Sequence, residues 1–99
     1  MRLRLPIARI IFAPVRRRFR GLTTYGTSEG RTIEIDPRSA RPARILLHEY
    51  LHILHPKWSE KRVHAETWRQ WKRLTWCDVA LLYKRLGTGR VETTYEDED

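Results

Sequence analysis

A chain of 99 residues has room for one domain, because two cores would leave each half too small to bury enough surface. A composition of 40% hydrophobic and 32% charged residues is that of a globular chain and argues against disorder throughout. Twenty Lys and Arg against twelve Asp and Glu give a net charge of +8, and five of the acids fall within residues 92–99, so the body is more basic than the total.

A field of that sign draws phosphate-rich or acidic partners without choosing a fold. A solvated, arginine-rich surface accounts for it equally well. Cys77 is the only cysteine, which rules out an intrachain disulfide and a cysteine-rich metal finger and fits a reducing, cytoplasmic setting. "MRLRLPIARIIFAPV" begins like a signal peptide, but its apolar part is short and broken by Pro6, Arg9 and Pro14, so it reads as structure. No run approaches the roughly 18 apolar residues of a membrane span, and no membrane partner is expected.

Residues 2–12 alternate and then become β-branched, which predicts a strand, with Pro6 suggesting an edge position. "VRRRFRGLTTY" predicts a second strand and "YGTSEGR" a turn into a third, "TIEI". Arginines would cover the polar face of this sheet. Asp36 and Ser39 are candidate caps for a helix from about Ala43, and Pro42 is tolerated in its first turn. Ile45, Leu46, Leu47, Leu51, Ile53 and Leu54 wrap most of that helix, as in one buried on several sides, and Pro56 ends it.

Ser59 is a good N-cap for a second helix running to about Leu86 and stopped at Gly87. Its inward stripe is Val63, Thr67, Gln70, Leu74 and Leu81, flanked by Trp71 and Cys77. Trp58, Trp68, Trp71 and Trp76 read as packing anchors between helix and sheet rather than a ligand cage. The chain is thus expected to be α+β, with a small mainly antiparallel three-stranded sheet packed on an active-site helix and a long C-terminal helix. A single domain would occupy residues 1–87 and a flexible acidic tail residues 88–99.

All four histidines, His48, His52, His55 and His64, lie in "LLHEYLHILHPKWSEKRVHAET". His48 and His52 are one helical turn apart, so both imidazoles project from one face and can meet a single zinc ion at about 2.0–2.1 Å. Glu49 is rotated about 100° from His48, so it can take a proton from an attacking water without being a ligand. That division of roles is the chemistry of metal-assisted peptide hydrolysis.

A catalytic zinc wants a third protein ligand and one open position. Glu60, His64 and Glu66 are the candidates, in that order. Glu60 shares a face with Val63, Thr67 and Leu74, and an unpaired carboxylate there would be costly. A strictly antiparallel pair of helices favours His64 or Glu66, whereas a steep crossing near Pro56 favours Glu60. His55 reads as a capping or solvent-facing bystander. Tyr50 points about 200° from His48 and reads as packing.

"HEYLH" followed closely by "PKWSEKRVHAET" resembles the gluzincin class of zinc metallopeptidases, in which an HExxH helix is followed by a helix supplying a glutamate. The short chain is similar to the minimal members, the minigluzincins, built around a small sheet and these helices. The likeness covers residues 32–67 by motif and the remainder by architecture. It implies zinc ligation by His48 and His52, a general base in Glu49, and a third ligand in Glu60, which opens "EKRVH" as in the family's E-x-x-small-polar pattern. Some minimal members are thought to use a histidine instead, which would promote His64. No downstream His or Tyr stands out as a transition-state stabiliser, and family latency suggests that "TTYEDED" could fill the cleft.

The expected function is a zinc-dependent metallopeptidase acting on a peptide or unfolded protein, the substrate adding as an extended strand along the "TIEI" edge. Two alternatives come from other classes. One is a nucleic-acid-associated basic module binding weakly through "VRRRFR", where Phe19 could stack on a base. The other is a structural zinc protein without turnover.

Overall fold

The computed structural model describes residues 3–13, 26–29 and 32–91. β-branched residues make the centre of the sheet. Strand β1 (Arg9–Phe12) and strand β3 (Thr32–Ile35) pair in parallel, with Ile10 opposite Ile33 and Phe12 opposite Ile35. Strand β2 (Gly26–Glu29) runs antiparallel to β3, and a two-residue strand β4 (Arg90–Val91) lies parallel to β1. The order across the sheet is β2-β3-β1-β4.

The expectation of a mainly antiparallel, three-stranded sheet is therefore wrong. Among the described residues there are four strands, and only the β2–β3 pairing is antiparallel. The physical reason is connectivity: β4 returns to β1 after three helices, and a crossover of that length permits parallel pairing. β2 forms from "GTSE", which reads locally as a turn and is held extended by its partner β3. Residues 15–25, expected to form a strand, lie outside the described residues. β3 has partners on both sides, so "TIEI" offers no free edge to an added peptide.

Helix α1 (Pro42–Leu54) opens with proline at its first position and ends at His55, just before Pro56. Its N-cap is Arg41 without a side-chain cap. Asp36 instead accepts hydrogen bonds from the Arg38 backbone at 2.9 Å and side chain at 3.0 and 2.7 Å, and Ser39 accepts one from Arg41 N at 3.2 Å. Both expected caps thus shape the approach to α1.

The long second helix is in fact two. Helix α2 (Glu60–Trp71) begins at the Ser59 cap, whose Oγ accepts from Arg62 N at 3.1 Å, and helix α3 (Trp76–Leu86) begins afresh at Thr75. Thr75 Oγ1 accepts from Asp78 N at 3.2 Å while the Asp78 carboxylate accepts from Thr75 N at 3.0 Å, a reciprocal capping box that stops one helix and starts another. Asp78 also accepts from Leu3 N at 3.0 Å, tying the N-terminal segment to α3.

Ile10, Ile33 and Ile35 from the sheet meet Ala43, Leu46, Leu47 and Tyr50 from α1 and Leu82 and Leu86 from α3 in one buried cluster. α1 touches the sheet, α2 and α3, which is why its apolar residues encircle it. Of the tryptophans, Trp71 packs on this cluster and Trp76 is 93% exposed, so they are not uniformly anchors between helix and sheet. Arg90 and Val91, expected in the tail, belong to the sheet; residues 92–99 lie outside the described residues. No helix among the described residues is long and apolar enough to cross a membrane.

Candidate metal centre

Because α1 is pinned on three sides, the direction of each of its side chains is fixed. His48 and His52 share the face turned to α2, their ring centroids 4.9 Å apart. The Ser59 cap starts α2 so that its first residue, Glu60, arrives beside them. His48 Nε2 lies 2.6 Å from Glu60 Oε1, and His52 Nε2 lies 3.1 Å from Glu60 Oε2. Ligand atoms of all three fall within 4.8 Å of one another, so the trio could hold a metal ion.

The electrostatics suit a cation. Burial pushes the His48 imidazole below its ordinary pKa, against the pull of the Glu60 carboxylate. For Glu60, burial acts upward but is outweighed by His48 and His52, and the carboxyl is held below its ordinary range. An imidazole lone pair does not approach a carboxylate oxygen this closely unless a proton or a metal ion joins them.

Thr67 completes the arrangement. Its hydroxyl donates to Val63 O at 2.7 Å, so toward His48 Nδ1, 3.3 Å away, it acts as acceptor. His48 then carries its proton on Nδ1 and presents the Nε2 lone pair. Sequence reasoning placed Thr67 in the inward stripe of the second helix and missed this role. A hydroxyl one turn after Val63, on the face meeting His48, was the available signal.

The other expected residues fall in different places. Glu49, next to His48, is buried at 1% exposure and has interactions of its own. His64 is exposed, one turn beyond Glu60, with its ring centroid 6.3 Å from that of His48. Glu66 is paired with Arg69 and Gln70, which hold its pKa at about 2, and does not join the trio. His55 stacks flat on Trp58 at 3.7 Å. Tyr50 is fully buried, its hydroxyl 3.5 Å from Arg85 Nη1. Arg16, Arg17, Arg18 and Arg20, with Phe19, lie outside the described residues.

Comparisons with family models, with curated proteins and with solved structures give no match. What the centre can do follows from its own donor set: two imidazoles and a carboxylate from two helices, a set suited to a divalent metal.

Proposed function

We propose that the chain is a zinc-dependent metallopeptidase. The observation that carries this reading is the arrival of Glu60 from a second helix on two imidazoles one turn apart, with Glu49 directly after the first. Two nitrogens and one carboxylate are a common protein ligand set for catalytic zinc, which leaves one position for water. When bound, the metal would acidify that water and polarise a peptide carbonyl.

The chain's own residues supply the rest. His48, His52 and Glu60 would hold the ion, and Thr67 fixes the His48 ring. Glu49 accepts the proton of the attacking water and hands it to the leaving amine. Glu49 directly follows His48 on α1 and is 1% exposed.

A second reading, a metal that clasps α1 to α2 without turnover, draws on that same 1% exposure of Glu49, since a base must meet water. Glu49→Gln separates the two. In the peptidase, wild type and variant bind one zinc per chain and only wild type cleaves an unfolded protein. Cleavage by neither, with zinc bound by both, supports the clasp. Zinc bound by neither overturns both readings.

A further inference from the structure

Arg44 precedes His48 by one turn of α1, so the two lie along one ridge. Its Cζ sits 4.3 Å from the centroid of the Trp68 ring on α2. Trp68 follows Thr67, whose hydroxyl meets His48, so the guanidinium is held on the same α1–α2 wall as the metal trio. Helical side chains lean toward the N-terminus, which sets the guanidinium up-chain of His48 rather than upon it.

Arg44 Nη1 is closed to solvent and has no hydrogen-bond partner. No carboxylate among the described residues pairs with the side chain. An unmet guanidinium donor is costly. The surroundings sharpen the need for an anion: Arg41 is nearby, the first turn of α1 holds no acid, and burial and the Arg41 charge both hold the Arg44 pKa below its ordinary value. The residue as a whole is only partly buried, so part of the side chain is open to a ligand.

We propose that Arg44, backed by Trp68, binds a substrate carboxylate, so that the enzyme favours peptides carrying a carboxylate within a residue or two of the cleaved bond. This rests on the metallopeptidase reading. A planar guanidinium fork matches a carboxylate with two parallel hydrogen bonds, and the Trp68 face fixes its plane. An extended peptide advances about 3.3 Å per residue, which matches a contact one turn along α1 from the metal. A free chain end and an Asp or Glu side chain both offer this carboxylate.

The test uses zinc-loaded full-length chain and matched peptides ending in a free acid, in an amide, or in an amide preceded by glutamate. One carboxylate peptide should exceed the plain amide in kcat/KM by about tenfold or more, and which one does so names the source. Arg44→Gln should bring the rates to parity and Arg44→Lys should restore part of the preference, with zinc stoichiometry unchanged. Equal rates in wild type, or a preference that survives Arg44→Gln, overturn the proposal. If Arg44 merely clamped α1 to α2, Arg44→Gln would lower Tm and leave the ratio intact. A second readout does not depend on turnover: in the zinc-loaded Glu49→Gln protein, the carboxylate peptide should shift the Arg44 Nε–Hε NMR signal and the plain amide should not. If no peptide is cleaved although zinc is bound, the peptidase reading falls, and this shift, present or absent, still decides the role of Arg44.

Discussion

His48 and Thr67 are joined by a hydrogen bond whose direction is set by a third group: the Thr67 hydroxyl spends its proton on Val63 O, leaving His48 to donate from Nδ1. Thr67→Val keeps the shape and removes the acceptor. Zinc affinity, measured by competition with a chromophoric chelator, should fall about 10- to 100-fold. Thr67→Ser should recover most of it.

The third ligand is separable from its rivals by the same titration. Glu60→Ala should abolish tight 1:1 zinc binding, because it removes one of three donors that converge. Glu66→Ala should leave affinity within a factor of about two, since its carboxylate is committed to Arg69 and Gln70 and does not join the trio. His64→Ala should resemble Glu66→Ala.

Asp78 gives the fold an acid-sensitive joint. The amide of Thr75, foremost, and that of Leu3 hold its carboxyl below the ordinary value of 3.8. With the folded pKa depressed, the unfolded state binds the extra proton first, so this contribution is complete above about pH 4 and is lost as pH falls below it. The gap in urea midpoint between wild type and Asp78→Asn should therefore narrow from pH 6 to pH 3. Thr75→Ala, which removes the other half of the box, should cost about 1 kcal/mol at neutral pH.

Gly89 is needed for close approach. A Cβ there would collide with the Phe12 ring and come within 3.0 Å of Ile10 Cγ2. Gly89→Ala should destabilise by about 1–3 kcal/mol, as overpacking does. Amide exchange at Val91 should accelerate more than exchange in α1, locating the damage at β4.

Local chemistry in the sequence foretold local structure well. Pro56, Ser59 and Gly87 mark helix boundaries that the structure keeps, and the spacing of His48 and His52 placed both imidazoles on one face. Glu60 ranks first among three candidates mainly because it opens "EKRVH", the pattern of the gluzincin resemblance, and its geometry with the histidines distinguishes it from Glu66. The misses share a different cause. Strand direction depends on partners far away in sequence, so nothing in "RIIF" or "TIEI" reveals that they run parallel. "GTSE" has little strand preference of its own and is extended by its neighbour. The break at Thr75 was legible, since T-W-C-D is a capping pattern, but the apolar spacing continued across it and concealed the stop.

The pairing of β1 with β4 also constrains how the molecule is made. Ile11 faces Arg90, and Phe12 faces Val91, across nearly the whole chain. While a ribosome is still extending the polypeptide, that side of β1 has no native partner, and an open edge rich in isoleucine invites pairing with other chains. Contacts this distant in sequence also slow folding. Self-association during synthesis should thus be governed by when Arg90 and Val91 emerge, rather than by the metal centre.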